Sequence, residues 1–117
     1  MNLQLQPGRP DIETRCIEAC LACHAHCLET SVVYCLKQGG DHARQEHIRL
    51  MLDCADSCRA AADFGLRASP YFKSACMLCA QVCDDCAASC RALGEAMKGC
   101  ADMCARCAEL CRQHGGI

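Results

Sequence analysis

The chain has 117 residues, a formal net charge of −2 from 12 basic and 14 acidic side chains, and 16 cysteines against two Phe, two Tyr and no Trp. That length predicts one domain with little core to spare, and acid and base are interspersed, which excludes a nucleic-acid-binding surface. No apolar run approaches the roughly 18 residues of a membrane span, so no membrane helix is expected.

Residues 1–10 contain Pro7, Gly8 and Pro10 and read as a flexible lead to a single domain over 11–117. Asp11 is placed as the N-cap of a first helix that runs to about Gln38, where Gly39 and Gly40 stop it. Asp41 then caps a second helix to about Leu66. Ser69-Pro70 restarts the chain, Ser as cap and Pro at the first helical position, and a third helix follows to about residue 93. An unbroken helix from 70 to 114 would extend about 67 Å at 1.5 Å per residue, and nothing in the first half could cover it. The break is therefore set at Gly94-Glu95, with Gly99 as the fallback. Four helices joined by short loops predict an all-α fold, an antiparallel up-down-up-down four-helix bundle.

Cysteine marks the inward face of each helix. Cys76, Cys79, Cys83, Cys86 and Cys90 recur at steps of three and four, as do Cys100, Cys104, Cys107 and Cys111, and Cys16, Cys20, Cys23 and Cys27. Each residue turns an α-helix by about 100°, so these steps return to one face, where Leu or Ile would otherwise form the seam. Cys54 and Cys58 continue the pattern on the second helix, with His47, Met51, Ala61 and Gly65 in phase. Phe72 joins the third stripe, and Met97 and His114 the fourth. On α-helical geometry Cys35 falls about 90° off the first stripe, which turns Tyr34 inward and leaves Cys35 at its flank. Met77 faces away from the core, and His24, His26 and His42 are assigned to the surface.

A cysteine-lined core points to metal rather than to disulfides. Neighbours within a stripe have Cβ atoms about 5–6 Å apart, whereas a disulfide requires about 3.8 Å. The opening residues also carry no basic and apolar secretory pattern, so a reducing cytoplasm is expected. Thiolates select Cu(I), Zn(II) or iron–sulfur clusters. Zinc takes four ligands, so sixteen cysteines serve at most about four ions, each all-Cys site carrying a formal −2 in a core without inward Lys or Arg. Cu(I) accepts two thiolates, each of which can bridge two ions, and this gives about one ion per cysteine with a neutral core. Ferredoxin spacing is absent, and each CxxC is embedded in a helical stripe where a zinc knuckle needs a turn. A zinc or iron–sulfur thiolate protein and a redox-responsive thiol protein are the alternatives. No nucleophile–base pair stands out, so an enzyme is not expected.

The stripes C-IEA-C-LA-C-HAH-C at 16–27, C-ML-C-AQV-C-DD-C-AAS-C at 76–90 and C-ADM-C-AR-C-AEL-C at 100–111 resemble those of the bacterial copper storage proteins, in particular their cytosolic branch. The resemblance covers roughly residues 11–114. It implies a bundle filled with multiple Cu(I) ions, commonly a homotetramer, loaded directly or through a copper chaperone. Carried over residue by residue, the ligands are Cys16, Cys20, Cys23, Cys27, Cys35, Cys54, Cys58, Cys76, Cys79, Cys83, Cys86, Cys90, Cys100, Cys104, Cys107 and Cys111. This chain departs from the family in having only Cys54 and Cys58 on the second helix and a non-cysteine at Ser31.

Antiparallel threading assigns the two ends. His47, Met51 and Met97 gather with the 38–41 and 93–95 turns and form the expected port for metal uptake. Phe64, Tyr71 and Phe72 gather at the other end as an aromatic plug, with Ala61 and Gly65 giving them room. His114 lies there as a candidate additional ligand.

Overall fold

The computed structural model describes residues 3–116; positions 1 and 2 of the lead and position 117 lie outside them. Four helices form the expected antiparallel bundle, 47 × 26 × 19 Å along its principal axes. Helix α1 spans Asp11–Gln38, α2 Gln45–Leu66, α3 Phe72–Arg91 and α4 Lys98–Gly115. Each packs chiefly on two neighbours, α1 on α2 and α4, and α3 on α2 and α4. Buried Ala55, Ala61, Ala62, Ala80, Ala87, Ala101 and Ala108 flank the cysteines. Such small side chains let the helix backbones come close enough for thiols to meet across the axis.

The helix boundaries were legible, but several caps differ. Asp11 is the first helical residue, following Pro10 at the cap; with Glu13 it places negative charge on the N-terminal end of the helix dipole. Asp41 caps nothing, because Gly40–Ala43 form a 3₁₀ turn and α2 begins only at Gln45. Ser69 does act at the start of α3, its hydroxyl accepting the Tyr71 N–H at 3.1 Å. The helix proper opens at Phe72, so Pro70 precedes its first turn. The α3–α4 break falls where expected, at Gly94 with φ 93°, a conformation in which a side chain would be strained. Gly99 lies inside α4.

Two further expectations change. Helix α1, at 28 residues with a mean hydropathy of 1.2 over an 18-residue window, is long and apolar enough to cross a membrane. Leucine, cysteine, valine and alanine supply that hydropathy, and the cysteine face is buried inside the bundle. Residues Thr30–Cys35 of α1 form a π-helix. At about 100° per residue, the eight residues from Cys27 to Cys35 overshoot two turns by about 80°. A π-turn holds one residue more than an α-turn, so two steps of four stay in phase. Cys27, Ser31 and Cys35 consequently all face inward, while Tyr34 points out at 38% exposure.

Candidate metal centre

All sixteen cysteines are buried and unpaired. Their sulfurs form one column along the bundle axis, read here from the end where α1 begins. Cys16, Cys76 and Cys111 come first, followed by Cys20, Cys79, Cys107 and Cys111, then Cys58, Cys79, Cys83 and Cys107. Next are Cys23, Cys54, Cys58 and Cys83, and last Cys23, Cys27, Cys54 and Cys104. Within each group the sulfurs lie within 4.8 Å of one another. Consecutive groups share members: Cys111, then Cys79 with Cys107, then Cys58 with Cys83, then Cys23 with Cys54. Individual contacts include Cys27–Cys104 and Cys58–Cys83 at 3.5 Å and Cys54–Cys83 at 3.6 Å. Most run between helices, as stripes facing one another across an axis require. Cys86, Cys90 and Cys100 extend the column toward the far end.

Beyond them the donors change. Cys35 Sγ stands 3.7 Å from His47 Nε2 and 3.9 Å from the sulfurs of both Met51 and Met97. The π-turn creates this cluster, since it alone brings Cys35 to the axis. The Nδ1 of His47 lies 2.7 Å from the Ser89 hydroxyl, which orients the ring with Nε2 toward the thiol. His47 is only 5% exposed. It forms the floor of a cleft of about 210 Å³ whose walls include Asp41, Arg44, Glu46 and Leu93. Burial lowers its pKa, which favours the neutral imidazole, the form that binds metal.

The opposite end is closed. His114, 8% exposed, places Nδ1 3.4 Å from Cys76 Sγ and Nε2 3.9 Å from a Glu13 oxygen. Phe72 covers the imidazole with ring centroids 4.1 Å apart. A Cβ on Gly65 would approach Phe72 Cζ to 2.6 Å, so only glycine leaves space for that ring. The aromatic plug is thus Phe72. Tyr71 is not part of it, at 66% exposure, and Phe64 is half-buried beneath the Arg67 guanidinium. Leu3 and Leu5 pack half-buried against the core. Arg9 donates to the Gly65 carbonyl at 2.9 Å and to Glu13 at 3.1 Å.

The thiols differ in acidity along the column. Where sulfurs crowd, a thiolate accepts S–H contacts from its neighbours, and Cys86 is drawn down to about 5 chiefly by Cys104. Each ionisation beside an existing thiolate is opposed by its charge. Cys35 is governed by burial and is pushed up to about 11. Ser89, Glu13 and Arg9 are the supporting residues that sequence reasoning missed, and no spacing rule marks them. His24 was also misread as surface, since its Nδ1–H donates to the Ala55 carbonyl at 2.8 Å and ties α1 to α2.

A four-helix bundle whose core is a column of shared thiols defines a polynuclear soft-metal-binding protein. Residues 10–116 match the profile of the family described as copper storage protein, Csp, and the chain belongs to that family. It is 37% identical over 75 residues to the uncharacterised cysteine-rich protein YhjQ of Bacillus subtilis (strain 168), a match covering 64% of this chain and 68% of that protein. The fold superposes on the crystal structure of the Nmul_A1745 protein of Nitrosospira multiformis with a TM-score of 0.87 and 38% identity, over 90% of this chain and 95% of that one. It also superposes on Cu(I)-bound copper storage protein BsCsp3, with a TM-score of 0.82 and 34% identity over 90% and 99% of the two chains. For apo-Csp3 from Bacillus subtilis the values are 0.79 and 35%, over 88% and 98%.

Proposed function

We propose that the protein stores Cu(I) along its core at about one ion per cysteine, close to sixteen per chain. The observation that carries this reading is the sharing of sulfurs between consecutive groups. Tetrahedral zinc sites with private ligands cannot share Cys23, Cys54, Cys58, Cys79, Cys83 and Cys107 in this way, and each all-Cys site would leave a formal −2 among Ala, Met and Cys side chains. Bridged Cu(I) uses shared sulfur and stays neutral. Family membership and the Cu(I)-bound neighbour support the same conclusion.

In this reading all sixteen cysteines are ligands, and 11–117 acts as one binding domain behind the 1–10 lead. His47, Met51 and Met97, joined by Cys35, form the uptake port, and His114 adds a nitrogen donor at the closed end. The role is sequestration rather than catalysis, in the cytoplasm, with copper delivered free or by a copper chaperone. Exposed Leu28, Val32, Val33 and Leu36 on α1, with Met77 and Leu78 on α3, offer apolar surface for homotetramer assembly. Anaerobic Cu(I) titration of the reduced apo protein tests the core claim. Saturation near sixteen equivalents, with absorption confined to the ultraviolet, is expected. Saturation near four would favour zinc-type sites, and visible colour with iron would favour a cluster protein.

A further inference from the structure

The lead is seated on the bundle rather than hanging free. Its burial alternates: Leu3 and Leu5 are half-buried and packed on the core, while Gln4 and Gln6 are exposed. That is the pattern of an extended segment with one face on a surface. A turn at Pro7-Gly8, with Gly8 at φ 89°, separates the segment from Arg9. The five residues from Leu5 to Pro10 span at most about 18 Å. Leu5 therefore meets the core in the half of the 47 Å bundle that holds the α1 N-terminus, the half closed by Phe72 and His114.

Arg9 fastens this segment. Its side chain is only 13% exposed, and the guanidinium donates to the Gly65 carbonyl at 2.9 Å, the Leu66 carbonyl at 3.5 Å and Glu13 at 3.1 Å. One residue thus ties the lead to the last turn of α2, where a cation is favoured against the helix carbonyls, and to the first turn of α1. Gly65 is also the point on which the Phe72 ring and Ile17 converge. Glu13 in turn faces His114 Nε2 at 3.9 Å, and His114 Nδ1 lies against Cys76 in the outermost thiol group, Cys16, Cys76 and Cys111. The lead, the Phe72 roof and the last thiols are therefore joined through a single arginine. The helices are held along their whole length by the cysteine and alanine core, the lead by two half-buried leucines and this one pin. Such a segment opens locally at a smaller free energy than the bundle unfolds.

We propose that residues 3–10 are a strap over the closed end, pinned by Arg9, and that its opening exposes the outermost thiols and, on the storage reading, gives their Cu(I) a second way out. The test uses full-length protein carrying Arg9→Met, which keeps an aliphatic stem and removes the donors. Reduced apo protein is treated with iodoacetamide, and labelling is followed at each cysteine by peptide mass spectrometry. Cys16, Cys76 and Cys111 should label about 10–100-fold faster than in wild type, the worth of a charge-assisted hydrogen bond expressed as an open population. Cys35 should keep its rate. Leu3→Ser/Leu5→Ser should give the same pattern with Arg9 and Glu13 intact. Arg59→Met, which breaks an exposed pair with Asp63 on α2, should leave every rate as it is. After Cu(I) loading, a competing chelator should draw copper faster from both strap variants, at unchanged capacity. The apo labelling involves no metal, so it fails separately from the storage reading, which the capacity tests. Acceleration spread uniformly over the column, or wild-type labelling of Cys16, Cys76 and Cys111 in both strap variants, would overturn the strap. Faster labelling there without faster copper removal would overturn the second exit.

Discussion

Both ends of the bundle bury a histidine against a cysteine, but the groups around each pair are opposite in kind. At the α1 C-terminal end, Cys35 and His47 are joined by the thioethers of Met51 and Met97, and a cleft reaches the imidazole from outside. At the α1 N-terminal end, Cys76 and His114 are joined by two further thiols, backed by Glu13 and Arg9, and roofed by Phe72. Neutral soft donors hold a soft ion loosely, whereas thiolates hold it firmly. On the proposed reading the first end passes metal inward and the second keeps it.

The severest way to break the contrast is to remove the roof. Phe72→Ala should destabilise the apo protein by about 3–5 kcal/mol, the usual cost of emptying a buried Phe site, as read by chemical denaturation. Removal of copper by a competing chelator should at the same time become faster. If exchange is unchanged in a variant that is still folded, the closed end is no barrier.

Replacing Met51 and Met97 together with Leu probes the other end. Volume is nearly conserved, so stability should fall by less than about 1.5 kcal/mol per site. Capacity should stay near sixteen Cu(I), while uptake and chelator removal both slow in stopped-flow traces. Wild-type rates in this double variant would reduce the methionines to core filler. Should Phe72→Ala accelerate exchange while the methionine pair does nothing, the ends have been assigned in reverse.

The smallest effect concerns the connections. The turns at the Cys35 end place Gly39 and Gly94 at positive φ, but the α2–α3 connection at the closed end holds Ala68 at φ 52°. A Cβ in that region is strained by about 1–2 kcal/mol. Ala68→Gly should therefore stabilise the fold by about 1 kcal/mol in thermal melts and leave exchange rates untouched. A loss of stability would mean that the turn is not strained.

The cysteine stripes were legible because helical periodicity is local, and steps of three and four assign a face without knowledge of the rest of the fold. The break at Gly94 was legible for a similar reason, since a longer helix could not be covered. Cys35 was misplaced because its position depends on a π-turn, and nothing in Thr-Ser-Val-Val-Tyr-Cys announces one. Asp41 looked like a cap on composition alone, yet the 3₁₀ turn postponed the helix past it. Tyr71 was grouped with its neighbour Phe72, although adjacent helical residues point about 100° apart. The partners of the two histidines, Ser89 and Glu13, come from other helices and become visible only once the bundle is assembled.

The wide turn in α1 makes chain length itself a determinant of chemistry. Closing it to an ordinary α-turn with all its residues kept would turn Cys35 about 80° off the axis, and the cluster around His47 would become imidazole and thioether alone. Closing it by losing one residue between 30 and 35 would instead set the thiol seven residues after Cys27, about 20° short of two full turns, and keep it facing inward. A relative could thus be one residue shorter here and hold the same cluster, whereas one of equal length without the wide turn would lose it.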